Sequence, residues 1–288
     1  MENFFFFYIY LSGGNMSNVV LFFKGILIGF AKVIPGVSGS LFAVSLGVYN
    51  RGIKVLSNPI KAIKNDLNFI FYLSLGVVLA IGFGSGIIGY FLKLYPLYTT
   101  LLFIGFIMGT FPSLFKEVNV NSYKDYFLIF SGFIILLFIT NLNGQDNFIF
   151  DGTIKTYFMV FLFGVIDAAT MIIPGISGTA IFMLIGCYKF VLNLFSSILN
   201  VSVFSIYLLP FIIFFLGLLC GSIGISKVMS FVLDHYYKKT YLLIISFAMS
   251  SIFMLFMSLY TSINSLSQIL LSLIFVFVGF VFSFILNK

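Results

Sequence analysis

Charge is scarce in this chain. Asp, Glu, Lys and Arg together make up 8% of 288 residues, while 61% are hydrophobic. Soluble globular domains carry about 25% charged residues, so the shortage excludes a water-soluble globule and leaves a polytopic membrane protein. Acids are the rarer sign, eight against 15 Lys and Arg, for a net charge of +7. Such a balance can attract nucleic acid, but here the lysines stand between apolar spans, where the positive-inside rule expects them. No nucleic-acid partner is expected. Histidine occurs once, no two carboxylates are paired within the apolar segments, and no nucleophile stands beside a base. An enzyme such as a lipid phosphatase needs those groups, so the chain reads as a non-enzyme with no cofactor and no metal. The two cysteines, Cys187 and Cys220, lie in apolar segments and read as small core residues rather than a disulfide. The start has neither a basic n-region nor a small-residue cleavage site, so it does not read as a signal peptide. Its apolar run is too short to span, so residues 1–18 read as an interfacial segment.

What is present is a duplication. GILIGFAKVIPGVSGSLFAVSLGVY, Gly25 to Tyr49, is followed 139 residues later by GVIDAATMIIPGISGTAIFMLIGCY, Gly164 to Tyr188. The register aligns Pro35 with Pro174, Gly36 with Gly175, Ser38 with Ser177, Gly39 with Gly178, Gly47 with Gly186 and Tyr49 with Tyr188. Each copy places a helix breaker inside an apolar segment. At membrane depth backbone is broken only where it is buried in protein or lines a cavity, and a duplicated break points to a transport site.

Six further segments approach the roughly 17–25 residues that a spanning helix needs: about 69–92, 97–115, 126–140, 204–227, 241–260 and 266–286. Each motif segment consists of an apolar arm (19–34 and 157–173), the break, and a second arm (38–57 and 177–199). Positive charge separates re-entrant hairpins from broken spans. With two hairpins and cytoplasmic termini, Arg51, Lys54, Lys61, Lys64, Lys116, Lys124, Lys227, Lys238, Lys239 and Lys288 share the cytoplasmic side. Lys93, Lys155 and Lys189 then lie outside, and Lys24 and Lys32 within a hairpin. With spanning segments the split is near even. The expected fold is an all-α polytopic membrane protein in a single domain. Each half, 19–140 and 157–286, is one re-entrant helical hairpin plus three transmembrane helices. Three is odd, so the halves form an inverted-topology repeat.

The motifs resemble those of the polyprenyl-phosphate translocase family, long catalogued as a membrane domain of unknown function. Its first motif, G-x-A-D-x-I-P-G-V-S-G-G-T with a later G-x-Y-E-R, reads here GFAKVIPGVSGS with GVYNR. Its second, P-G-I-S-G-S with G-x-Y, reads IIPGISGT with GCY. LYPLYTTLLFIGFIMGTFPSL and LGLLCGSIGISKVMSFVLDHY are also similar to the family. The resemblance implies a flippase in the bacterial cytoplasmic membrane that returns undecaprenyl phosphate, the lipid carrier of envelope and peptidoglycan synthesis, by alternating access. Three positions depart from the pattern: Lys32 stands where the family has Asp, Asn50 where it has Glu, and Ser40 in place of a second Gly.

The residue types suit an anionic headgroup. A helix starting near Ser38 or Ser177 offers unpaired N–H groups, the serine can cap it, and Gly39 or Gly178 allows close backbone approach. The expected phosphate-binding set is therefore Lys32, Pro35, Gly36, Ser38, Gly39, Ser40 and Arg51 with Pro174, Gly175, Ser177, Gly178 and Thr179. Lys32, three residues before Pro35, is too costly to leave facing lipid. Asp167 is the carboxylate of the apolar arms. It is expected to pair with Lys32 and to couple transport to protons or another ion. Tyr49 and Tyr188 read as interfacial aromatics, and His235 as a loop residue. The competing function is a secondary transporter of a small anion or solute; a site that opens sideways into the bilayer favours the lipid.

Overall fold

A computed structural model describes residues 17–33, 38–141, 147–196, 201–259 and 265–286. Residues 1–16 of the expected interfacial segment, and Pro35 and Gly36 of the expected site, lie outside the described residues. Every regular element among the described residues is an α-helix. The first half begins with α1 (Asn18–Val33), whose Val20 N–H is capped by Ser17 Oγ at 3.3 Å. Then follow α2 (Gly39–Ser45), α3 (Tyr49–Ser57), α4 (Pro59–Asn65), α5 (Leu67–Gly82), α6 (Gly84–Leu94), α7 (Pro96–Met108), α8 (Phe111–Glu117) and α9 (Tyr123–Asn141). The second half has α10 (Ile154–Ile172), α11 (Gly178–Leu184), α12 (Tyr188–Ser196), α13 (Val201–Leu259) and α14 (Leu266–Leu286).

The duplicated sequence folds into duplicated bounds. Shifted by 139, α2 and α3 coincide with α11 and α12 at both ends. The two motif regions share their cap geometry too: Ser38 has φ −95° and ψ 121°, Ser177 φ −89° and ψ 120°.

Each expected second arm consists of two helices. Gly47 (φ 68°) and Gly186 (φ 73°) take the left-handed conformation that glycine tolerates. Val48 N–H then reaches Ala43 O at 3.0 Å, and Gly47 N–H reaches Val44 O at 3.0 Å. Cys187 and Gly186 repeat this toward Phe182 O and Met183 O at 3.0 and 3.2 Å. These are Schellman C-caps, so the glycine of the GxY signature ends a helix.

Among the described residues, four helices are long and apolar enough to cross a membrane: Pro96–Glu117, Ile154–Ile172, Tyr207–Leu259 and Leu266–Ile285. The bent pair Pro59–Asn65 and Leu67–Gly82, angled at 104°, qualifies if taken as one span. Straight, the 53 residues of Tyr207–Leu259 would extend about 80 Å at 1.5 Å per residue, far beyond a hydrocarbon core of about 30 Å. They are instead interrupted at Tyr236 (φ −130°, ψ 36°). The stretch between the expected spans 204–227 and 241–260 is thus helical on both sides of one kinked residue, not a loop. His235 sits on that helix, its Nδ1 2.9 Å from Phe231 O and its ring stacked on Phe231. The equivalent break in the first half is Tyr95 (φ −134°, ψ 57°), between α6 and α7. The expected span 69–92 is divided at Phe83, amid Gly82, Gly84 and Gly86, which weaken a helix interior.

Small residues bring the helices together, as membrane bundles require. A Cβ on Gly25 would lie 2.2 Å from Leu73 O, and one on Gly76 2.2 Å from Phe22 O, so α1 and α5 meet backbone to backbone. Gly164 and Gly217 join α10 to α13 in the same way, at 2.0 Å from Phe214 O and Phe161 O. α7 meets α14 through Gly105 and Gly279. Between these contacts lie two apolar cores. The larger includes Phe42 stacked on Phe106 at 4.2 Å, with Leu242 and Ile245. The smaller gathers Val160, Phe182, Leu194 and Phe214.

Candidate functional site

Both motif copies open onto one cavity of about 630 Å³. The chain doubles back after each break. Gly39 returns to Ile28 and Lys32, since a Cβ there would lie 3.5 Å from Ile28 O and 3.9 Å from Lys32 Cβ. Lys24 Nζ, further back on α1, donates to Leu46 O at 2.7 Å and satisfies a carbonyl at the end of α2. In the second copy Gly178 returns to Asp167 and Thr170; a Cβ on it would lie 3.3 Å from Asp167 Oδ1 and 2.8 Å from Thr170 Oγ1. A side chain at Gly178 would have to displace the Thr170 hydroxyl and would crowd the Asp167 carboxylate.

Of the sequence-predicted residues, the fold brings Lys32, Ser38, Gly39, Ser40, Asp167, Ser177, Gly178 and Thr179 to this cavity. The serines do not cap their helices as expected. Ser38 Oγ pairs with Ser40 Oγ at 2.7 Å and Ser177 Oγ with Thr179 Oγ1 at 2.8 Å. Neither cap position carries a side-chain hydrogen bond to backbone. Two hydroxyl pairs thus face the cavity at equivalent places. α2 and α11 are two turns each, so the groups suited to an anion in this cavity are the hydroxyls and Lys32 more than a helix dipole.

Lys32 and Asp167 line the same cavity and attract one another across it, but they form no direct ion pair. The close ion pairs among the described residues are Arg51–Asp66 at 2.5 Å and Lys238–Asp125 at 2.6 Å. Asp167 is instead held by Thr170, whose Oγ1 donates to Asp167 O at 2.9 Å and lies 3.5 Å from Oδ1. Each charge therefore remains available to a third group in the cavity.

Three predicted residues sit elsewhere. Arg51 is exposed, paired with Asp66, and stacked 4.4 Å over Phe69. It braces the corner of α3 and α5 and is not among the cavity lining. Pro174 is fully buried. Gly175 (φ 86°) is pressed against α13, where a Cβ would lie 2.4 Å from Phe247 Cβ, and its carbonyl accepts from Ser251 Oγ at 3.3 Å. These two residues shape the second break from behind.

Other cavity residues escaped the sequence reading. Tyr49 is not interfacial: it is buried and its OH donates to Ile172 O at 3.0 Å, linking the first motif to the last turn of the second motif's arm. Tyr188 is half-buried and lines the cavity. The apolar wall comes from α5 (Leu73, Val77, Ile81) and α12 (Val191, Leu192, Phe195). Ile81, Leu192 and Phe195 are also exposed, so the apolar wall is open along this edge. Asn50 faces away from the cavity, its Nδ2 donating to Tyr241 OH at 3.0 Å.

An all-helical bundle of membrane-length apolar helices, enclosing a cavity with a polar centre and apolar walls, defines a multi-pass membrane protein. The chain belongs to the VCA0040-like family, described as undecaprenyl phosphate translocase-like, which matches residues 28–269. It is similar to the polyprenyl-phosphate transporter of Staphylococcus aureus (strain NCTC 8325 / PS 47), 30% identical over 272 residues, covering 92% of this chain and 94% of that protein. It is also similar to the polyprenyl-phosphate transporter of Vibrio cholerae serotype O1 (strain ATCC 39315 / El Tor Inaba N16961). That identity is 26% over 244 residues, covering 80% of this chain and 75% of that protein. No solved structure matches the chain.

Proposed function

We propose that this protein is a flippase that returns undecaprenyl phosphate across the bacterial cytoplasmic membrane. The phosphate is held in the cavity between the two PGxSG motifs and the polyprenyl tail stays along the apolar wall. One observation carries the reading. The two hydroxyl pairs, Lys32 and Asp167 meet in a single cavity whose lining runs out to exposed Ile81, Leu192 and Phe195. A phosphate monoester needs the first set and a lipid tail the second. The two relatives named polyprenyl-phosphate transporters support the same cargo.

The coinciding helix bounds, the twin glycine caps and the matched close approaches at Gly25 and Gly76 (α1 to α5) and at Gly164 and Gly217 (α10 to α13) support two related halves. In this reading the halves are inserted in opposite senses with both termini cytoplasmic, and each motif is a re-entrant hairpin. Alternating access is then a rocking of the halves about the central cavity. Moving one negative charge inward against an inside-negative potential costs about 2.3 kcal/mol per 100 mV. A co-transported cation offsets that cost. Asp167, beside the incoming phosphate, is the group to take up a proton as Lys32 engages the headgroup.

The test is a leaflet assay in liposomes with polyprenyl phosphate, comparing wild type, Lys32→Ala and the Ser38→Ala/Ser177→Ala double variant. Wild type redistributes the lipid and both variants slow it severalfold or more. Wild-type inactivity toward the lipid, with uptake of a small anion, would replace this reading by the solute carrier.

A further inference from the structure

α4, at the corner between α3 and α5, contributes no residue to the cavity's lining. α4 meets α5 at 104°, so where α5 runs along the bilayer normal, α4 lies nearly in the plane of the membrane surface. Its composition agrees. Lys61 and Lys64, with the flanking Asn58 and Asn65, are exposed, and burying two lysines in hydrocarbon is costly. Yet Ile60 is 77% and Ile63 57% exposed on an adjoining side of the same two turns, while Ala62 faces the protein. Leu56 before the helix and Leu67 after it are exposed as well, and Leu56 also lines the cavity. A helix with an apolar side and lysines beside it, parallel to the surface, is the pattern of interfacial helices that engage anionic lipid.

The local charge is not cancelled. Asp66 is already paired with Arg51. Asp234 shares a small 110 Å³ cavity with Lys54 and offsets that lysine in part, which leaves Lys61 and Lys64 to act on the bilayer. The corresponding segment of the second half, ILNVSVFSI at 198–206, contains no basic residue, so the device belongs to one side only.

We infer that α4 is a membrane-surface docking helix for anionic phospholipid headgroups, seated at the rim of the cavity. Ile60 and Ile63 enter the acyl boundary, and Lys61 and Lys64 hold phosphodiester groups. The inference rests on the membrane placement of the proposed function and not on transport itself.

The chain has no tryptophan, so Ile60→Trp provides a single fluorescent reporter in the full-length protein. The protein is reconstituted in vesicles of phosphatidylcholine containing either brominated phosphatidylcholine or the same fraction of brominated phosphatidylglycerol. Both lipids should quench the reporter, and the anionic one more strongly. Each lysine near an anionic surface should strengthen that preference by up to about fivefold. High salt should weaken the preference, because surface charge is screened. Lys61→Gln/Lys64→Gln should remove it while quenching by the neutral lipid persists, which also shows that the variant is folded and inserted. Equal quenching by the two lipids with both lysines present would overturn the inference, as would no quenching by either. Loss of the preference on adding polyprenyl phosphate at a much lower fraction would overturn the choice of occupant and assign the helix to the cargo. Quenching is read without flipping, so failure here leaves the transport reading intact, and failed transport leaves the quenching result standing.

Discussion

Replacing Lys32 by Ala removes the cation that faces the cavity and leaves the Asp167 carboxylate alone with an incoming phosphate. A hydrogen bond to a charged group contributes about 1.5–3 kcal/mol, or roughly 10- to 150-fold in affinity. Beyond direct contact, at an effective dielectric constant of about 20, two unit charges still interact by roughly 2 kcal/mol. The Lys32→Ala variant should therefore bind polyprenyl phosphate at least about tenfold more weakly. Asp167→Asn in the same background should restore part of that loss, because the remaining repulsion is gone. The double-mutant cycle should give a coupling of about 1 kcal/mol. That is smaller than a contacting pair would give, because Lys32 and Asp167 attract across the cavity without a direct ion pair. Binding is read by titrating the purified variants with the lipid in nanodiscs. Affinity of Lys32→Ala within twofold of wild type would refute the placement of phosphate at this cavity. A cycle with no coupling would refute a shared site for the two charges.

Four further outcomes follow from the surroundings of particular residues. Gly175→Ala combines a φ of 86° with a Cβ 2.4 Å from Phe247 Cβ and should destabilise the protein by about 2–4 kcal/mol. Gly224→Ala, with nothing within 4 Å of its Cβ, should be neutral or slightly stabilising; thermal melts in detergent compare the two. Tyr49→Phe deletes the hydrogen bond to Ile172 O and should cost about 1 kcal/mol, with slower flipping in the leaflet assay. The Asp151 carboxylate accepts from Thr153 N–H, Thr153 Oγ1 and Thr156 Oγ1, which hold it below the usual carboxylate range. A depressed folded pKa stabilises above the unfolded value and loses that contribution as pH falls through the folded one. The wild-type advantage in Tm over Asp151→Asn should therefore be present at neutral pH and shrink below about pH 4.

The repeat was legible because its signal is local. Pro, Gly and Ser at fixed spacing end and start helices wherever they stand, and the bounds of α2, α3, α11 and α12 follow that spacing. Lys32 and Asp167 were legible for a related reason: a charge in an apolar arm must find a cavity or a partner. What escaped was set by contacts distant in the chain. Tyr49 looked interfacial because its partner, the Ile172 carbonyl, lies 123 residues away. Arg51 looked like a phosphate ligand, but Asp66 and Phe69 take it up after the chain turns between α4 and α5. The polar run around His235 looked like a loop because composition alone separates span from loop. Charged residues are good helix formers where water reaches them, and one kinked residue, Tyr236, is enough to interrupt the helix.

The two helices that open the motif second arms, α2 and α11, are seven residues each. Isolated helices that short do not hold in water, because nucleation outweighs so few hydrogen bonds. They persist here through the neighbours that press on them, such as Phe106 against Phe42 and the arms they fold back along. A stability gradient is expected, in which these short helices lose order before the long spanning ones. Amide exchange in α2 and α11 should run ahead of that in α10 and α14. In the proposed carrier, such a gradient would let the walls of the cavity remodel without disturbing the frame that keeps the membrane sealed.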